Sequence, residues 1–135
     1  MAFSAGKAAV FSVNDGVSLR NISAFCDNVN YPQVLGNGET TTFGKTFKTY
    51  LMTLRDATIS VSGKFDPTVD GYLALILALT AATAYEYSPA GTATGNVKYA
   101  GTCIITGYTV TTPVGDVTSF TADFQSSDTV TRTVY

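Results

Sequence analysis

The sequence predicts a mainly β fold, a β-sandwich or open barrel with one flanking α-helix. Apolar and polar residues alternate with a period of two through much of the chain, and clusters of Gly, Pro, Asn and Asp punctuate the alternation. Only one stretch, Phe65 to Leu79, reads as helix. The strand–helix alternation of a parallel sheet is absent. At 135 residues, without internal repeat, heptad or linker, the chain is expected to form one domain over 1–135.

The elements follow in order. Ala8 to Val13 is a short apolar strand that stops at Asn14-Asp15-Gly16, whose Asp-Gly step favours a tight turn. Val17 to Val29 resumes as a long strand, completing a hairpin. Asn30 to Lys48 holds Pro32, Gly36-Asn37-Gly38 and Gly44 with no sustained period, and is expected to be a long loop. Long segments without structure of their own tend to order against a partner, so about residues 30–55 are expected to serve assembly. Thr49 to Arg55 fits either a strand or a short helix. In Ala57 to Phe65 the alternation is sharp: Ala57, Ile59, Val61, Gly63 and Phe65 face one way, and Thr58, Ser60, Ser62 and Lys64 the other. After the helix, Ala84 to Tyr87 is a short strand and Ser88 to Asn96 a loop. Tyr99 to Thr112 and Gly115 to Ser126 form a hairpin around Pro113, and Val130 to Tyr135 closes the chain.

The helix start is sharply marked. Asp66 can accept from the first free backbone N–H groups, and Pro67 presets the helical φ at the first position. The body, Tyr72 to Leu79, carries apolar groups on every side. Burying a Leu or Ile side chain is worth roughly 1.5–3 kcal/mol, so an uncovered apolar face would waste much of a domain's margin. Tyr72, Leu75, Ile76 and Leu79 are therefore expected to form a helix surface shared with a neighbouring subunit.

Composition narrows the chemistry. Hydrophobic residues make up 45% and charged ones 13%, too little charge for an ordinary solvated monomer. The net charge of −2 argues against tight nucleic-acid binding, which depends on Lys and Arg. There is no histidine, which removes the commonest general base and metal ligand. Cys26 and Cys103 lack basic neighbours and read as buried thiols. Asp66 and Asp70 lie one helical turn apart, but their first-turn position explains both through the helix dipole. Gly44-Lys45-Thr46 imitates the end of a phosphate-binding loop, yet its spacing from Gly38 and its Thr-rich context do not match. Asn21-Ile22-Ser23 is a glycosylation sequon without a secretory signal in Met1 to Lys7. No apolar run approaches the roughly 20 residues of a membrane helix, so no membrane insertion is expected. No catalytic residue, cofactor or metal is expected. Lys45, Lys48 and Arg55 are the one local basic concentration, read either as a solvated loop face or as a group that pairs with acids of an adjacent copy.

Taken in order, Ile59-Ser60-Val61-Ser62-Gly63-Lys64-Phe65-Asp66-Pro67, the helix, Tyr85-Glu86-Tyr87-Ser88-Pro89, Tyr99-Ala100-Gly101-Thr102-Cys103, and Pro113 to Gln125 resemble the major tail tube proteins of long-tailed phages. The resemblance covers about residues 5 to 134 and rests on a strand–helix–strand layout and a strand–turn–strand ending. It implies a sandwich or barrel with one flanking helix, six copies closing a ring, and rings stacking into a hollow virion tail that conducts viral DNA, assembled in the host cytoplasm. It further implies that the long loop reaches a neighbouring ring, with Gly36, Asn37, Gly38, Phe43, Lys45, Lys48 and Arg55 as stacking residues. The chain's partners would be further copies of itself, the tape measure, tail terminator and distal tail proteins, and passing double-stranded DNA. Glu86 and Asp123 are the acids expected on the lumen, where modest negative charge would keep phosphate from sticking. Alternatives are another phage or type VI-like tube or joining protein, and a carbohydrate-binding β-sandwich using Tyr85, Tyr87 and Tyr99 to stack sugar rings.

Overall fold

The computed structural model describes residues 6–135, so Met1 to Ala5, part of the segment read for a secretory signal, lie outside the described residues. A 3-10 turn at Gly6–Ala8 leads into β1, Val10–Asn14, and then β2, Leu19–Asn21. A second 3-10 turn, Ser23–Phe25, separates β2 from β3, Cys26–Asn30. Next come β4, Gln33–Glu39, and β5, Tyr50–Lys64, followed by the helix α1, Pro67–Leu77. The chain ends with β6, Thr83–Ser88, β7, Val97–Thr111, and β8, Ser119–Val134.

These strands form one eight-stranded sheet in the order β2-β1-β6-β7-β8-β5-β3, with β4 also paired to β5. Every pairing is antiparallel. The strands at the two ends of this path, β2 and β3, are consecutive in the chain and separated only by the turn at Ser23–Phe25. The sheet therefore curls into a half-barrel rather than splitting into the two separate sheets of a sandwich. Phe11 of β1 and Phe124 of β8 are not ladder neighbours, yet their ring centroids lie 5.8 Å apart across the interior.

The core is the inward side of this curl. Phe11, Val13, Ile59, Val61, Tyr85, Cys103, Phe120, Ala122 and Phe124 come from the strands, and Val69, Leu73 and Ile76 from the helix. The last three recur at helical spacing, so one stripe of α1 is buried. Asp66 caps the helix by accepting from the Thr68 N–H at 2.8 Å. Tyr108 of β7 donates to Asp70 at 2.8 Å, and Arg20 reaches Asp15 at 2.9 Å while lying 5.0 Å from the Tyr72 ring centroid. The turn after β1 meets the far end of the helix: Gly16 has φ +96°, and a Cβ there would stand 2.9 Å from Leu79. At Gly63 any side chain would collide with the backbone of Phe25 and Cys26, so only glycine lets the turn between β2 and β3 pass over β5.

Several expected boundaries change. Val17 to Val29 is not one strand, because β2 pairs with β1 and β3 with β5 on the opposite edge of the curl. Asn30 to Lys48 is not a structureless loop. β4 pairs with the first half of β5, from Gln33 opposite Ala57 out to Glu39 opposite Tyr50, making an extended hairpin arm with its tip at 40–49. Thr49 to Arg55 is accordingly mostly strand, and β5 runs unbroken from the arm into the half-barrel. At the other end of the chain, the two segments expected beyond Gly115 merge into the single strand β8.

Candidate functional site

Two surfaces stand out. The first is the arm. Cross-strand partners share a face, so Tyr50 and Met52 of β5, opposite Glu39 and Asn37, lie on the face of Leu35 and Arg55, and Leu51, opposite Gly38, lies on the face of Val34 and Asp56; between them Thr53 and Leu54 both fall opposite Gly36 in a bulge. Leu54 is 87% and Met52 74% exposed, with Tyr50 and Val34 also exposed. Leu51 and Leu35 are exposed as well, and the tip adds Phe43 and Phe47. A two-stranded hairpin is marginal in water by itself, and this one carries apolar side chains on both faces.

Gly36 sits at a register shift between Leu35 and Asn37, where a side chain would strike Thr53. Asn37 faces Met52 and Gly38 faces Leu51. Phe43, Lys45 and Lys48 lie exposed at the tip. Arg55 does not join them. It pairs with Leu35 near the base of the arm, separated from the tip by the stretch from Tyr50, about 17 Å at strand rise. The basic concentration expected from sequence is therefore two groups at opposite ends of one hairpin.

The second surface is the side of the sheet turned away from the core. On β5, β8 and β7 the outward positions are Thr58, Ser60, Ser62 and Lys64, then Ser119, Thr121, Asp123 and Gln125, then Thr102, Ile104, Thr109 and Thr111. Hydroxyl groups dominate it. Asp123 lies within this patch, exposed, and accepts from the Ser60 hydroxyl at 2.9 Å. Glu86 sits at one side, half-buried, with Lys98 at 3.6 Å; Lys64 and Asp27 pair at 3.9 Å on the other. The two expected lumen acids thus share the outward side of one sheet, but Glu86 is neutralised by its partner and Asp123 has none among the described salt bridges.

The expected inter-subunit helix surface divides. Ile76 is 2% exposed and belongs to the core, and Tyr72 and Leu79 are half-buried against that core. Leu75, 48% exposed, and Leu77 point outward. The helix was apolar on every side, so only the packing could say which residues lie beneath it.

Reactive chemistry is sparse on these surfaces. Burial pushes the Cys26 thiol up to about 11, helped by the Asp27 carboxylate, and the Cys103 thiol up to about 12. Both thiols are therefore protonated and unreactive near neutrality. No group of three or more His, Cys, Asp or Glu that could hold a metal occurs among the described residues. Burial would raise the Asp15 carboxyl, but the N–H groups of Val17 and Ser18 and the Arg20 guanidinium outweigh it and hold the pKa below the ordinary value. No described helix is long and apolar enough to cross a membrane.

What the sequence reading missed is the exposed apolar run Tyr50-Leu51-Met52 with Leu54, whose residues were legible but whose spread over both faces of the arm follows from a bulge opposite Gly36. It also missed the arm's base. β3 and β4 pair along the same edge of β5, interrupted at Tyr31-Pro32. The Tyr31 ring meets Tyr85, Tyr87 and Tyr99 edge-on, with centroids 6.2, 5.5 and 5.3 Å away.

No protein-family model and no curated protein matches the chain. Solved structures do. The fold is similar to a chain in the tail of an empty gene transfer agent particle refined with C6 symmetry, at TM-score 0.82 and 14% identity, covering 98% of this chain and 100% of that one. It is similar to the SPP1 tail tube at TM-score 0.77 and 8% identity, covering 98% and 80%. A chain of the sheath–tube complex of an extracellular contractile injection system matches at TM-score 0.68 and 14% identity, covering 98% and 93%. The chain thus has a fold found in tail and injection-tube assemblies.

Proposed function

We propose that this chain is a structural subunit of a phage-type tail tube, a single tail-tube-like domain whose copies close into six-membered rings that stack into a hollow conduit for double-stranded DNA. The observation that carries this reading is agreement of fold along 98% of the chain with tail structures, one refined with C6 symmetry. The surfaces support it. A heterologous contact repeated around an axis closes a ring, and repetition along the axis stacks rings. The apolar arm gives each subunit something to lay on the next ring, with Gly36, Asn37, Gly38, Phe43, Lys45, Lys48 and Arg55 along it. The outward side of α1, at Leu75 and Leu77, suits a neighbour within the ring.

The hydroxyl side of the sheet suits the lumen. DNA must slide, not bind, and a wall of Ser and Thr with Asp123 uncompensated, whose flanking Lys64 and Lys98 are each paired with an acid, holds phosphate weakly. Glu86 contributes less to that repulsion because Lys98 pairs with it. The subunit works as wall, with no enzymatic step. The tape measure, terminator and distal tail proteins would meet the tube inside and at its ends, placing this chain in the virion tail. A tube of a contractile injection machine is the second reading, favoured by the similarity to the sheath–tube complex.

Electron microscopy of the concentrated protein tests the proposal. Hollow tubes of six-fold rings are expected. A species that stays monomeric across salt, pH and concentration would overturn it, and virions whose tails carry no sheath around the tube would set aside the second reading.

A further inference from the structure

Where the hairpin leaves the half-barrel it is fastened on both sides. On one side Tyr31, in the break between β3 and β4, turns back into the barrel. Its hydroxyl lies 2.8 Å from that of Tyr85, which in turn lies 3.2 Å from the Ser126 hydroxyl. The Pro32 carbonyl accepts from the Thr58 N–H at 3.2 Å, keeping the break attached to β5. On the other side, the Gln125 amide donates to the Asp56 carboxylate at 2.6 Å and to the Ala57 carbonyl at 3.1 Å. Immediately beyond Gln125 the two strands part. The last register pair between β5 and β8 is Thr58 with Gln125, and past it a cleft of about 1000 Å³ opens between the arm and the second half of β8. Asp128, in that half, takes the left-handed φ of 68°.

The arm therefore has an anchored base and open space beside it. Its two strands make no ladder with the rest of the sheet outside that base, because β4 pairs only with β5, and β5 leaves β8 at Thr58. We infer that Tyr31 and Gln125 are positioning residues that set the angle at which the arm leaves the half-barrel, and with it the reach of one ring to the next. The Tyr31 ring is the wedge. Its edge-on contacts restrict rotation at the one break in the paired edge, and the Tyr85–Ser126 hydroxyl chain gives it a single seat. Gln125 is the clamp that stops the cleft from widening. The inference rests on the tube reading for its consequence, but the arm's pose belongs to the lone subunit.

Hydrogen exchange on the dilute, unassembled full chain tests it. Tyr31→Ala is expected to speed exchange in Gln33–Glu39 and Tyr50–Asp56 about tenfold while β6, β7 and the core half of β8 keep the parent's protection. Tyr31→Phe, which keeps the wedge and loses the hydroxyl chain, is expected to fall between, and Gln125→Met to loosen the same segments. Arm exchange within twofold of the parent in Tyr31→Ala and Gln125→Met would overturn the inference. Loss of protection spread equally over the barrel in Tyr31→Ala and Tyr31→Phe alike would also overturn it, since Tyr31 would then be ordinary core. An arm that already exchanges at the rate of free chain in the parent leaves no pose to hold and sinks it as well. Because no readout here needs tubes, these outcomes are separate from failure of the tube reading. If tubes form, the loosened variants are expected to stack at higher protein concentration.

Discussion

Met52→Thr combined with Leu54→Thr isolates what the arm does. Both side chains stand on the arm's apolar surface, 74% and 87% exposed, and threonine brings a β-branched shape that suits a strand. Full burial of a large apolar side chain is worth about 1.5–3 kcal/mol, and most of that remains available to a partner at these exposures. After allowing for the methyl that threonine retains, the pair should weaken each arm contact by about 2–4 kcal/mol, roughly 30- to 700-fold in its equilibrium constant. The subunit itself should barely notice, because neither side chain is in its core and substitutions at such sites usually cost within about 0.5 kcal/mol. The assay is the protein concentration at which tubes first pellet, with thermal unfolding of the dilute subunit as control. Tubes from the double variant at the parent's concentration would refute the assignment of these side chains to assembly, and a large fall in melting temperature would show that they support the subunit instead.

Three further outcomes are expected. Ile76→Ala should destabilise the subunit by about 2–5 kcal/mol in urea unfolding, whereas Leu75→Asp should leave it folded and impair ring closure seen by electron microscopy; equal loss of stability in both would contradict the division of the helix. Asp15→Asn should cost stability near neutrality, and the gap from the parent should shrink as pH falls below about 3.8, because a carboxyl with a lowered folded pKa contributes above its unfolded pKa and stops contributing as it protonates; a gap independent of pH between about 6 and 2.5 would contradict the role of its ionised form. Asp123→Lys should leave tubes intact but let them hold DNA at low salt, read by co-sedimentation, with release as salt rises; DNA retention equal to the parent's at every salt would place Asp123 away from the lumen.

The amino-acid sequence by itself determined element type wherever the pattern is local. Asp66-Pro67 marks the helix start, the strict alternation from Ala57 marks the barrel half of β5, and Asn14-Asp15-Gly16 marks the turn after β1. The lack of histidine removes the commonest general base and metal ligand at the level of composition alone. Long-range pairing decided the rest. Gln33 to Glu39 has too much Gly and Asn to announce a strand, and it becomes one because the first half of β5 stands beside it with free ladder groups. Arg55 parts from Lys45 and Lys48 because a hairpin turns sequence distance into length along the arm. An evenly apolar helix has no preferred side, so whether Ile76 or Leu75 is buried was settled only when the curled sheet offered it one surface. Backbone propensity and capping act within a few residues, whereas burial depends on which distant strands arrive opposite, and that is set by the closure of the whole sheet.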